Sequence, residues 1–142
     1  MEIDTKSPAK INLYLKILNK RKDGYHNIET SFQYIDLYDF LNFKESKNDI
    51  SIESNSHIFK NTNNTIFQAA SMMKKYSNSS LGVSIKIEKN IPMGSGLGGA
   101  SSNAASTILA LNKLWGLKLS DEELLNIGKE IGADVPFFIF GK

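Results

Sequence analysis

Within residues 94–99, four positions are glycine: Gly94, Gly96, Gly98 and Gly99. Before this run, Val83, Ile85 and Ile87 alternate as in a strand. After it, Ala104, Ala105, Ile108, Leu111 and Trp115 recur at helical intervals and close at Gly116. The predicted order is therefore strand, glycine loop over residues 92–102, and helix over 103–115. Glycine loses more conformational freedom on folding than any other residue, so this density is costly for a simple turn. It does suit a loop stripped of side chains, whose backbone N–H groups close around an anion at a helix N-terminus. The helix dipole favours a negative group there by about 0.3–1 kcal/mol on an exposed surface, and hydrogen bonds to the anion add to that. The competing reading is a glycine-rich turn capped by serine. Ser101 and Ser102 stand where a hydroxyl can cap the helix, bind phosphate or hold a magnesium ion.

Two named phosphate motifs bear on this loop. The P-loop pattern fails because no lysine follows the glycines. Gly94-x-Gly96-x-x-Gly99 fits the dinucleotide fingerprint. That reading, however, needs a second strand ending in an acidic residue roughly 20 positions on. The stretch in question holds Ser120-Asp121-Glu122-Glu123, a capping box that opens a helix. The dinucleotide reading is set aside.

Elsewhere the pattern is local sheet followed by helices. Residues 9–18 alternate, with Ile11, Leu13, Leu15 and Ile17 on one face and Lys10, Asn12, Tyr14 and Lys16 on the other, so Lys10 and Asn12 stand side by side. The pair Asp23-Gly24 predicts a turn into a second strand over 28–34, hence a hairpin. Further strands are expected over 40–44 and 50–53, and a helix running to about residue 76 with Asn63 or Asn64 as its N-cap. A last helix stops near Gly132, and Ala133-Asp134-Val135-Pro136 is expected to lead into an apolar strand. The fold class is α+β, a two-layer sandwich in one domain spanning residues 1–142.

Composition narrows the class without naming a partner. The 17 basic and 15 acidic residues give a net charge of +2 with no basic block, which argues against nucleic acid. The chain has no cysteine and two separated histidines, His26 and His57, a poor basis for a zinc site. The acidic start, Met1-Glu2-Ile3-Asp4, is unlike a secretory signal, and no apolar run approaches the ~20 residues of a bilayer span. A soluble, cytoplasmic protein is expected.

The segment Pro92-Met93-Gly94-Ser95-Gly96-Leu97-Gly98-Gly99-Ala100-Ser101-Ser102-Asn103-Ala104-Ala105 resembles the phosphate-binding motif of the galactokinase, homoserine kinase, mevalonate kinase and phosphomevalonate kinase (GHMP) superfamily. Within it, Gly-Gly-Ala-Ser-Ser-Asn-Ala-Ala is similar to the diphosphocytidyl-methylerythritol kinases; mevalonate-type members usually have a shorter Gly-Ser-Ser-Ala-Ala. Pro8-Ala-Lys-Ile-Asn-Leu13, Asp23-Gly-Tyr-His26 and Gly132-Ala-Asp-Val-Pro136 resemble the same kinases in order and spacing.

The resemblance implies a GHMP N-terminal domain of ribosomal-protein-like topology. It implies ATP and Mg2+ as cofactors, and phosphorylation of the 2-hydroxyl of 4-diphosphocytidyl-2-C-methyl-D-erythritol in the non-mevalonate route to isoprenoids. Lys10 and Asp134 resemble the catalytic pair: Asp134 as the general base for the acceptor hydroxyl, Lys10 orienting it and stabilising charge on the transferring phosphoryl group. Residues 92–102 would hold the phosphates. Tyr25 would stack on cytosine, His26 would hydrogen-bond it, Asn12 would hold the acceptor near its hydroxyl, and Asn64 would contact adenine or ribose or serve only as an N-cap. Family members continue into a second lobe, so a chain ending at Gly141-Lys142 is expected to be a piece of a longer product, weak in nucleotide binding and poor in turnover by itself. Another small-molecule kinase of the superfamily, or a nucleotide- or RNA-binding module of related fold, is the alternative function.

Overall fold

The computed structural model describes residues 1–20, 26–55, 64–78 and 80–141, with residues 14–20 and 26–30 as backbone. Four strands form one sheet, β1 (Glu2–Lys20), β2 (His26–Lys47), β3 (Ile50–Ser54) and β4 (Leu81–Glu88), in the order β1-β2-β4-β3. The predicted hairpin is present as the antiparallel β1/β2 pair. β3 and β4 run parallel, joined through α1 (Thr65–Ser77), the kind of crossover that parallel neighbours require. The other helices are α2 (Gly99–Leu114), α3 (Asp121–Ile131) and α4 (Val135–Phe140). The architecture is α+β, as expected. Among the described residues, no helix is long and apolar enough to cross a membrane.

Where sequence reasoning expected two strands over 28–34 and 40–44, β2 is continuous. The interruption is absorbed as a register shift: Pro8 faces Tyr38, but Ala9 faces Ile35. Proline supplies no N–H to the ladder, and the bulge opposite it lets the chain continue without a turn. The shift also changes which side chains turn inward. Ala9 and Lys10 are both buried, whereas Ile11 and Leu13, on the expected apolar face, are 37% and 54% exposed.

Helix α2 lies across the sheet with α1 and α3 beside it. Residues 102–108 of α2 are buried without interruption, the mark of a helix enclosed on all sides, and Ala104, Ala105 and Ala110 let its neighbours approach closely. Phe43, Val83 and Ile85 of the sheet meet Ile108 and Leu111 of α2 and Ile66, Ala70 and Met73 of α1 in one core. Trp115 ends α2 over the sheet, donating its indole N–H to the Gly82 carbonyl at 3.1 Å.

Two caps read from sequence are formed. The Asn64 side chain accepts the Phe67 N–H at 2.8 Å, and Ser120 accepts that of Glu123 at 3.2 Å. One element is corrected: residues 135–140 are helix, not strand. Pro136 sits in the first turn, where its missing N–H costs nothing. Helical spacing buries Val135 and Phe138 together and sets Ile139 against Gly128 of α3, where a Cβ on that glycine would lie 2.8 Å from the isoleucine Cδ1.

Candidate nucleotide site

The glycine loop begins where β4 ends and is shaped by three left-handed residues, Gly94 (φ 69°), Gly96 (φ 78°) and Gly98 (φ 74°). Side-chain-bearing residues avoid this region, which explains the spacing. A Cβ at Gly94 or Gly96 would meet nothing within 4 Å, so those two turn an open backbone outward. Gly98 is different. A Cβ there would lie 2.9 Å from Phe138 Cζ and 3.0 Å from both Cε and Cγ of Lys10.

Helix α2 begins at Gly99, four residues earlier than predicted, with Gly98 as an N-cap that makes no side-chain cap bond. The first intrahelical bond runs from the Ser102 N–H to the Gly98 carbonyl at 2.9 Å. The N–H groups of Gly99, Ala100 and Ser101 lie in the first turn, where a helix leaves its donors unsatisfied. A cleft of about 160 Å³, lined by Lys89 and residues 92–101, opens over this turn. Pockets that enclose a whole small molecule run to roughly 300–1,000 Å³, so this one fits an anionic group rather than a complete nucleotide. Uncrowded left-handed glycines, a helix start and an adjacent lysine suit phosphate.

The remaining loop residues divide into braces and open positions. Ser95 Oγ donates to the Pro92 carbonyl at 2.7 Å and accepts the Leu97 N–H at 3.4 Å, holding the loop's own shape. The Leu97 carbonyl accepts the Lys10 N–H at 2.8 Å, so the loop is pinned to β1 at the candidate catalytic residue. Met93 is exposed at the rim. Of the two candidate metal-holding hydroxyls, Ser102 is fully buried and bonded to Ser7 Oγ at 2.8 Å, facing away from the cleft. Ser101 lines the cleft. As the fourth residue of α2, Ser102 falls on the helix face packed against β1.

Lys10 is 4% exposed and runs beneath Gly98. Its ammonium donates to Asn12 Oδ1 at 2.9 Å and lies 4.8 Å from the centre of the Phe32 ring. The predicted adjacency of Lys10 and Asn12 is thus realised as a hydrogen bond. Asp134 is half-buried at the head of α4, and its carboxylate has no hydrogen-bond or ion-pair partner among the described residues. It is not in ion-pair contact with Lys10. The two are tied through aromatic rings: Phe138 of α4 packs on Gly98 with Lys10, and Phe137 meets Phe32 edge-on at 4.7 Å. Tyr34 stacks on Phe138 at 5.6 Å, and burial raises its phenol above the ordinary value.

Asn64 uses its side-chain oxygen to cap α1, and the next residue, Thr65, donates to the Ala100 carbonyl at 2.9 Å. This places the start of α1 beside the start of α2. Tyr25 lies outside the described residues, and of His26 only the backbone is described, opening β2 opposite Lys20. Sequence reasoning passed over Asp39 and Lys89, which form a buried polar group under the loop with Asn103, quoted above only as part of the motif. No local pattern marks the first two, because they are 50 residues apart and meet only through sheet pairing.

The profile of the GHMP kinases N terminal domain matches residues 64–142. A curated 4-diphosphocytidyl-2-C-methyl-D-erythritol kinase of Acinetobacter baylyi is 49% identical over 139 residues, 96% of this chain and 50% of that protein. The like-named kinase of Methylococcus capsulatus is 45% identical over 137 residues, 96% of this chain and 47% of the relative. The chain spans about half the length of the curated relatives it matches. A crystal structure of 4-(cytidine 5'-diphospho)-2C-methyl-D-erythritol kinase superposes with a TM-score of 0.81 at 35% identity, covering 99% of this chain and 50% of that one. Homoserine kinase from Cytophaga hutchinsonii, at 20% identity and a TM-score of 0.68, shares the fold. With more than half the chain matched by the profile, and with the strand, left-handed glycine loop and helix inside the matched residues, this chain belongs to the GHMP kinases, in their N-terminal domain.

Proposed function

We propose that this chain carries the phosphate-binding and phosphoryl-transfer half of a kinase that uses ATP to phosphorylate the 2-hydroxyl of 4-diphosphocytidyl-2-C-methyl-D-erythritol. The observation that carries the reading is the direct bond between loop and strand: the Leu97 carbonyl accepts the Lys10 N–H at 2.8 Å, which joins the glycine loop to the candidate catalytic lysine. The relatives that match nearly the whole of this chain at 45–49% identity bear that enzyme's name, which supports the substrate.

ATP supplies the transferable phosphoryl group, and Mg2+ would neutralise charge on its phosphate oxygens. The N–H groups of Gly99, Ala100 and Ser101 bind the phosphates, with the Ser101 hydroxyl at the same edge. Asp134 accepts the proton of the acceptor hydroxyl as its oxygen bonds to phosphorus and the bond to the departing ADP oxygen breaks. A positioned base of this kind is worth about 10²–10⁴ in rate. Lys10, held by Asn12 and Phe32 below Gly98, supplies positive charge beside the transferring group. Asn12, Tyr25 and His26 would hold the acceptor and its cytosine.

The direct test is a calorimetric titration of the 142-residue chain with Mg-ATP, in parallel with a Gly96→Val variant. Saturable binding that the variant loses is expected. Equal binding by both proteins, or none by either at millimolar nucleotide, would remove the glycine loop from the account.

A further inference from the structure

Lys89, which borders the cleft, is joined to a buried carboxylate, Asp39, that takes no part in the chemistry above. Asp39 is 0% exposed in its side chain and Lys89 6%, and Lys89 Nζ lies 2.5 Å from Asp39 Oδ2. Both carboxylate oxygens are filled. Oδ1 accepts the N–H groups of Asn90 at 2.6 Å and Ile91 at 2.8 Å, and Oδ2 also accepts from Asn103 Nδ2 at 3.0 Å. The Asn103 amide donates as well to Ser7 Oγ at 3.1 Å, which in turn bonds Ser102 Oγ at 2.8 Å.

These contacts have a common geography. Asn90 and Ile91 are the last residues before the glycine loop, Ser102 and Asn103 lie in the first two turns of the helix after it, and Ser7 stands three residues before Lys10. One carboxylate on β2 thus fixes the loop's entrance directly and its exit through Asn103, and reaches the strand that carries Lys10. The Lys89 ammonium lies immediately under the first turn of α2, since a Cβ on Gly99 would come within 2.8 Å of it. Apolar residues of similar volume often stabilise an interior as well as a buried ion pair does, so rigidity alone is a weak reason for this one.

We propose that Asp39 is a positioning residue for phosphate binding, setting the distance between the loop's entrance and the start of α2 and thereby the aim of the loop's N–H groups. The inference rests on the nucleotide reading of the loop. Asp39→Asn keeps one oxygen for the Asn90 and Ile91 N–H groups but turns an amide donor toward two other donors, Lys89 and Asn103. It also leaves the Lys89 charge unpaired. Asn103→Ala is milder, cutting the link to the exit while sparing the ion pair.

The test compares both variants with Ile127→Ala, a core truncation in α3 outside the network, in the 142-residue chain. Three readouts are taken: thermal midpoint, Mg-ATP affinity, and amide hydrogen exchange well below the midpoint. Asp39→Asn is expected to weaken ATP at least tenfold and Asn103→Ala severalfold, each with faster exchange concentrated in residues 92–101. Ile127→Ala should lower the midpoint and leave affinity and loop exchange as they were. An Asp39→Asn protein whose affinity stays within twofold of Ile127→Ala overturns the proposal; should Asp39→Asn not fold, Asn103→Ala decides by the same criterion. If even the unaltered chain does not bind Mg-ATP, the nucleotide reading fails, and exchange alone judges the clamp: acceleration confined to 92–101 supports it, and uniform acceleration refutes it.

Discussion

Gly98 and Gly96 share nearly the same φ, 74° and 78°, yet stand in opposite surroundings, and replacing each with alanine separates two costs that usually come mixed. Forcing a side-chain-bearing residue into the left-handed region costs roughly 1–2 kcal/mol, and that cost is common to both sites. At Gly96 nothing else is added, because a Cβ meets no atom within 4 Å. At Gly98 the methyl would press on Phe138 Cζ at 2.9 Å and on two Lys10 carbons at 3.0 Å, all held in packed surroundings. Overpacking of this kind adds about 1–3 kcal/mol. Near this chain length one kcal/mol moves the midpoint by about 4 °C. Gly96→Ala should therefore melt about 4–8 °C below the parent, and Gly98→Ala about 4–12 °C below Gly96→Ala, as read by circular dichroism at 222 nm. Midpoints for the two variants within about 2 °C of each other would refute the packing of α4 and Lys10 against the loop.

Three further outcomes are expected. If Asp134 is the general base proposed above, Asp134→Asn should cut acceptor-dependent ADP formation by about 10²–10⁴ in any form of the protein that turns over, with ATP binding unchanged, since Asp134 does not line the loop cleft. Asn64→Ala should cost about 1 kcal/mol by freeing the Phe67 N–H, measured as a shift in the urea midpoint, and a change confined to ATP affinity would instead mark Asn64 as a ligand. Trp115→Phe should cost about 1–3 kcal/mol by the same measurement, because the Gly82 carbonyl loses the indole N–H in a buried place.

Much of this fold was legible because its signals are local. The hairpin, α1, β4 and the caps at Asn64 and Ser120 each announce themselves within a few residues, by alternation or by a polar residue ahead of an apolar period. The glycine loop is also local, since Gly94, Gly96 and Gly98 supply the three left-handed turns in place. The 135–140 segment was misread because Val-Pro-Phe-Phe-Ile-Phe is apolar throughout and has no period to distinguish helix from strand. Tertiary packing on Gly128 decides it. The inward turn of Lys10 and the burial of Ser102 follow from the Pro8 bulge and from the early start of α2, neither of which alternation can show. Asp39 lay furthest from view. Its partners come from β4's end, the loop's entrance and α2, and only the folded sheet brings them together.

ADP formation with a panel of acceptors reports the identity of the reaction. The protein is incubated with Mg-ATP and 4-diphosphocytidyl-2-C-methyl-D-erythritol, homoserine or mevalonate in parallel, against an acceptor-free control. Slow ADP release that depends on the cytidyl alcohol alone is expected. ADP release that depends on homoserine or mevalonate, with none above control for the cytidyl alcohol, would contradict the proposed reaction.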